Sequence, residues 1–247
     1  MDVLLFLYQN AIWFFGGLLT GLTSFGGNLF AIPLLTLAMS ARDAILLGCL
    51  CGGVTILALT ILYRRQLLWA ETLCLGLATL PGVPLGVAFL QQAGPRLLML
   101  AAGMSLVLFL FWQALSSRLH VAEKPVARWW CVPLGFAAGL MMGAVSMGGP
   151  PLVLYAYLRR WGKENTIGGT CLAALVAMLA VVPAQWEAGL YTPALLKTAL
   201  SGALASVGGI LASMPLVHRM KAALFRRLLL VMIALSALML LVRGLLA

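Results

Sequence analysis

The stretch GLTSFGGNLF, residues 21–30, lies inside an apolar run from Val3 to Met39. A run that apolar should form one unbroken membrane helix, yet its middle holds Ser24, Gly26, Gly27 and Asn28. The same interruption returns at GAVSMGGPPL, residues 143–152. Unpaired backbone in hydrocarbon costs several kcal/mol per group, so such breaks persist only where protein or water satisfies them. Two breaks in matching places point to a built feature.

Composition sets the environment. Of 247 residues, 63% are hydrophobic and 9% charged, far from the balance of a soluble domain. Apolar segments long enough to cross a ~30 Å hydrocarbon layer recur from end to end. The longest charged connector, 116–128, is too short to fold alone. The chain is therefore expected to be an all-α polytopic membrane protein lying in a lipid bilayer. A net charge of +10 would suggest nucleic acid for a soluble protein. Here the basic residues cluster in short loops, as membrane orientation requires, and no nucleic-acid partner is expected. MDVLLFLYQN lacks a basic n-region and a small-residue cleavage site, so no cleaved signal peptide is expected. Cys49, Cys51, Cys74, Cys131 and Cys171 read as small packing residues.

Sliding the sequence by 122 residues superposes its halves. Gly17, Leu18, Gly21, Ser24, Gly26 and Gly27 fall on Gly139, Leu140, Gly143, Ser146, Gly148 and Gly149. Ile45, Cys49 and Leu50 fall on Ile167, Cys171 and Leu172, and Gly86 falls on Gly208. The chain thus divides into repeats at 1–120 and 126–247. The first holds a broken segment 3–39 and helices near 44–62, 67–90 and 96–116. The second holds a broken segment 131–158 and helices near 166–186, 194–215 and 223–242.

Charge decides whether each broken segment crosses or turns back. If both cross, the 16 Lys and Arg divide seven against nine, which sets no orientation. If both turn back, Arg42, Arg96, Lys197 and Arg243 share one side and the other twelve face them. That is a proper positive-inside bias, with both termini outside beside Asp2, Asp43 and Glu187. Each half then has odd parity, a broken or re-entrant helix pair plus three transmembrane helices. The two halves insert with inverted topology, an arrangement typical of secondary transporters.

The breaks suggest their own chemistry. A helix restarting near Asn28 or Pro150 aims free N–H groups back into the break, and a helix N-terminus attracts an anion. The candidate substrate-binding residues are therefore Ser24, Phe25, Gly26, Gly27 and Asn28, with Ser146, Met147, Gly148, Gly149 and Pro150. Ser24 and Ser146 are expected to cap the new helix or offer a hydroxyl. Asn28 has Pro150 as its twin, so the halves are not chemically equivalent. The pattern Gly-x-x-x-Gly, at 17–21, 139–143 and 82–86, also serves plain helix packing.

Other polar residues are few. Gln113, Gln185, Thr55, Thr170, Ser105 and Ser201 are candidates to line a path, though such residues more often bond their own helices. Glu71 is expected at the membrane interface in contact with solvent. No carboxylate or histidine relay sits at the midplane, and no metal, cofactor, nucleophile–base pair or phosphate loop is indicated. The chain is not expected to be an enzyme. The residues alone leave open a carrier for a cation or another small solute, and a non-transporting membrane scaffold.

GLLTGLTSFGGNLFAIPLL at 17–35, GLMMGAVSMGGPPLVLYAY at 139–157 and PGVPLGVAFL at 81–90 resemble the sulfite exporter family TauE/SafE. The resemblance covers nearly the whole chain. It implies a secondary transporter exporting a small anion, sulfite or an organosulfonate such as sulfoacetate, by alternating access around the two broken helices. It also implies a bacterial inner membrane as location. A homo-oligomer is compatible with it.

Overall fold

A computed structural model describes residues 3–23, 26–118, 125–219 and 222–246. The described residues form helices joined by short turns, with no strand among them. In order these are α1 (Val3–Thr23), α2 (Gly26–Leu35), α3 (Ala41–Leu62), α4 (Trp69–Leu77), α5 (Gly82–Gln92) and α6 (Pro95–Arg118). The second half gives α7 (Cys131–Val145), α8 (Gly149–Leu158), α9 (Lys163–Glu187), α10 (Pro193–Arg219) and α11 (Ala222–Leu246). Four helices, α1, α3, α9 and α10, are long and apolar enough to cross a membrane, and the bent pair α4–α5 adds a fifth. Leu200, Leu204 and Leu211 form an outward apolar stripe on α10, each at least 58% exposed. Leu235, Leu238 and Val242 do the same on α11. Such faces suit lipid, not water.

Both broken segments turn back. Tyr8 Oη donates to the Leu34 carbonyl at 2.8 Å, across 26 residues. Collinear helices would hold those residues about 39 Å apart at 1.5 Å per residue. In the second half, Val126 N–H donates to the Leu158 carbonyl at 3.2 Å, and Arg159 Nη1 returns a bond to the Val126 carbonyl at 2.7 Å. The legs are unequal. α1 has 21 residues and α2 has 10, about 31 and 15 Å. α7 has 15 residues and α8 has 10.

Local chemistry sets the ends. Ser40 caps α3 by accepting the Asp43 N–H at 3.1 Å, and its hydroxyl donates to the Asp43 carboxylate at 2.7 Å. The acidic side chain also faces the positive end of the helix. The expected continuous helix at 67–90 is instead two helices, bent by 41° between Leu77 and Gly82. Pro81 has no N–H to continue an α-helical ladder. The chain there tightens into i→i+3 bonds, Thr79 to Gly76 and Gly82 to Thr79, both 3.0 Å. No proline interrupts the corresponding stretch of α10, which stays continuous to Arg219.

The halves pack on each other reciprocally. α1 lies along α10, α7 along α5, α3 against α9 and α6 against α11. Glycine makes the first two contacts possible. A Cβ on Gly17 would overlap the Ser206 carbonyl, and one on Gly139 would overlap the Thr79 carbonyl. A Cβ on Gly209 would strike Phe14 O and Leu18 N, and one on Gly82 would strike Phe136 O and Leu140 N. Phe14 and Leu18 match Phe136 and Leu140 at the 122-residue offset, but Gly82 and Gly209 are five residues further apart. The sequence pairing of Gly86 with Gly208 is therefore out of register. In packing, Gly82 corresponds to Gly209, and Gly86 to Ser213.

Candidate functional site

The two breaks meet. Asn28, in the first turn of α2, reaches across to the second break. Its Nδ2 donates to the Ser146 carbonyl at 2.8 Å, to Ser146 Oγ at 3.1 Å and to the Gly48 carbonyl at 3.1 Å. Two N–H groups thus serve three acceptors. Glycine in α3 makes the slot. A Cβ on Gly52 would lie 2.8 Å from Asn28 Nδ2.

Ser146 ends α7 in the left-handed conformation, φ 58° and ψ 27°. A non-glycine residue there carries about 1–2 kcal/mol of strain. Asn28 holds both its carbonyl and its hydroxyl, and Ser146 is 2% exposed. Of the two roles expected of Ser146, capping the restarting helix is not seen: it closes the preceding helix, and Gly148 occupies the N-cap of α8 without a side-chain bond. Its hydroxyl is instead engaged at the junction, accepting from Asn28.

A cavity opens around this junction, near the middle of α3 and α9. It offers about 40 Å³ to the centres of water-sized molecules, against ~10–15 Å³ for one water. The first half contributes Thr20, Asn28, Leu29, Gly52 and Thr55 to its wall. From the second half come Ser146, Met147, Gly148, Gly149, Pro150 and Thr170. Of the residues expected at the site, Asn28 and the whole set from Ser146 to Pro150 line it. Gly26 and Gly27 do not. Both are buried, and a Cβ on Gly27 would overlap Thr20 Oγ1 and lie 2.7 Å from the Gly16 carbonyl. Close packing of α1 on α2 accounts for Gly27. Ser24 and Phe25 lie outside the described residues.

The wall sets these polar groups among Leu29, Ile56, Met142 and Leu152 and carries no charged side chain. Thr20, Thr55 and Thr170 each spend the hydroxyl proton on their own helix, on Gly16, Gly52 and Thr166 carbonyls at 2.9, 2.7 and 2.6 Å. What remains of each is an acceptor. The side-chain donor on this wall is the Asn28 amide. On the other side of the junction, Pro150 and Pro151 carry no N–H. Ser105 and Ser201 also bond their own helices, and Gln113 lies outside the residues with described side chains.

Gln185 departs from expectation. It is fully buried and bonds across elements, accepting from Tyr191 Oη at 2.6 Å and donating to Cys49 Sγ at 3.4 Å. Glu71 departs too. It is no solvated carboxylate, being only 13% exposed. Arg159 Nη2 and Nε reach its two oxygens at 2.5 and 3.2 Å, and Trp161 Nε1 donates at 3.1 Å. Arg128 adds an exposed contact at 3.3 Å. This cluster ties the open end of the α7–α8 hairpin to α4. Thr20 and the Gly48–Gly52 slot carried no pattern distinguishing them from ordinary helix residues, so the sequence did not mark them.

Apolar helices with outward apolar stripes, two turned-back segments and an uncharged cavity at their junction describe a polytopic helical membrane protein. The profile of the sulfite exporter TauE/SafE family matches residues 10–240. The chain belongs to that family, whose members are membrane transporters of sulfite and related sulfur anions. No curated protein and no solved structure matches it significantly.

Proposed function

We propose that the chain is a secondary transporter exporting a small sulfur oxyanion, sulfite or an organosulfonate such as sulfoacetate. The observation that carries this is the Asn28–Ser146 junction, where the breaks of both halves share one polar cavity. The Asn28 amide N–H groups supply donors for oxyanion oxygens. The anion replaces Ser146 as Asn28's acceptor, which frees the two hairpins to shift.

The halves insert with inverted topology, the twelve basic residues facing the cytoplasm and both termini the outside. The reciprocal glycine contacts of α1 with α10 and α7 with α5 support this. Alternating access follows from rocking one half against the other. The membrane is a bacterial inner membrane. Leaving a negative-inside cell is downhill for an anion, by about 2.3 kcal/mol per charge per 100 mV. Export then needs no coupling ion.

A second reading, a carrier for a cation, draws on the acceptor oxygens of Thr20, Thr55 and Thr170 turned to the cavity. A substrate panel in proteoliposomes separates the two. Sulfite or sulfoacetate uptake that competes with no cation is expected. Uptake of a cation alone would select the second reading.

A further inference from the structure

On the side where α3 begins and α9 ends, the cavity is bounded by the largest apolar cluster among the described residues. Leu29, Ile32, Leu35, Leu46, Leu47 and Leu195 belong to it. A polar thread runs between this cluster, against which Tyr191 packs, and a second one that holds Cys49. Asn28 donates to the carbonyl of Gly48, the neighbour of Cys49, Cys49 accepts from Gln185, and Gln185 accepts from Tyr191. Cys49 and Gln185 are wholly buried. Tyr191 is half-buried and lies beside the exposed Trp186, ring centroids 6.0 Å apart.

A buried amide is expensive unless bonded, and a well-fitted apolar residue would serve packing as well. Gln185 also has more valences than its two bonds use. We propose that Gln185 is the second ligand of the transported anion. In this role it receives a small oxyanion from the Asn28–Ser146 junction and passes it along Cys49 and Tyr191 to the surface. The Gln185–Tyr191 bond keeps this seam shut at rest. The assignment rests on the anion-export reading above.

The test combines flux with residue-resolved thiol labelling of the full chain in proteoliposomes, using N-ethylmaleimide and mass spectrometry. Cys51 is the internal control, since it is equally buried but bonds the Ala199 carbonyl, off the thread. Tyr191→Phe is expected to raise Cys49 labelling at least fivefold and leave Cys51 unchanged. Gln185→Met, which keeps the volume and removes the amide, is expected to cut sulfite flux per folded molecule at least tenfold. Unchanged flux in Gln185→Met, with wild-type sulfite flux intact, would overturn the assignment alone. Equal labelling of Cys49 and Cys51 in Tyr191→Phe would overturn the seam. Absence of wild-type sulfite flux would instead remove the cargo reading, and the labelling ratio still decides the seam.

Discussion

Asn28→Leu perturbs the junction at its centre with little change in volume. The amide's two N–H groups are shared among acceptors at 2.8, 3.1 and 3.1 Å. At about 1 kcal/mol net per hydrogen bond, their loss costs ~2 kcal/mol. Leaving the Ser146 and Gly48 carbonyls unpaired adds about 1–2 kcal/mol after the apolar gain of Leu. Ser146 also loses the support for its left-handed backbone. The expected destabilisation is therefore about 3–4 kcal/mol. Transport should suffer separately. A hydrogen bond to a charged ligand contributes about 1.5–3 kcal/mol, which corresponds to a fall in flux of roughly 10- to 100-fold. The assay is sulfite flux in proteoliposomes, normalised to monodisperse protein, with thermal unfolding in detergent alongside. Ser146→Gly is the companion. Glycine adopts φ 58° freely and keeps the carbonyl that Asn28 reaches, so stability should hold within about 1 kcal/mol. Wild-type sulfite flux in Asn28→Leu would refute the role given to this side chain.

Other consequences are independent. Gly17→Val and Gly139→Val each drive a Cβ into a backbone carbonyl of the neighbouring helix, so both should abolish recovery of folded protein, read by size-exclusion chromatography. Gly53→Ala, with open space around it, should leave recovery intact. Arg159→Ala removes a partner only 14% exposed and leaves Glu71 with Trp161 and the exposed Arg128, whereas Arg128 is 75% exposed. The first should cost about 2–3 kcal/mol and the second under ~1 kcal/mol, read by thermal unfolding. Cysteines introduced at Asp2 and Arg243 should react with impermeant maleimide from outside the cell. Labelling from the cytoplasm alone would reverse the assigned orientation.

The breaks were legible because Ser, Gly and Asn are costly in a hydrocarbon-spanning helix, and a second copy made chance a poor explanation. Turning back was legible from the division of Lys and Arg, and the Tyr8–Leu34 bond agrees with it. The bend at Pro81 was hidden because PGVP sits in an apolar run whose length matches one span. The five-residue shift between Gly82 and Gly209 was hidden for a related reason. An ungapped comparison sees glycines, not the backbone they must touch. Asn28 stands out in the sequence, but its partner lies 118 residues away, and no local pattern encodes that reach. For Gln185 and Glu71 the local sequence offers only their own helix or solvent as partners. Their partners, Cys49 and Arg159, are brought in only by tertiary packing.

The most direct measurement is sulfite movement in proteoliposomes holding the wild-type chain under an imposed membrane potential. Saturable flux that accelerates toward the positive side, carries negative charge and falls at least tenfold in Asn28→Leu is the expected result. Sulfite flux no greater than in protein-free liposomes, or flux carrying positive charge, would contradict it.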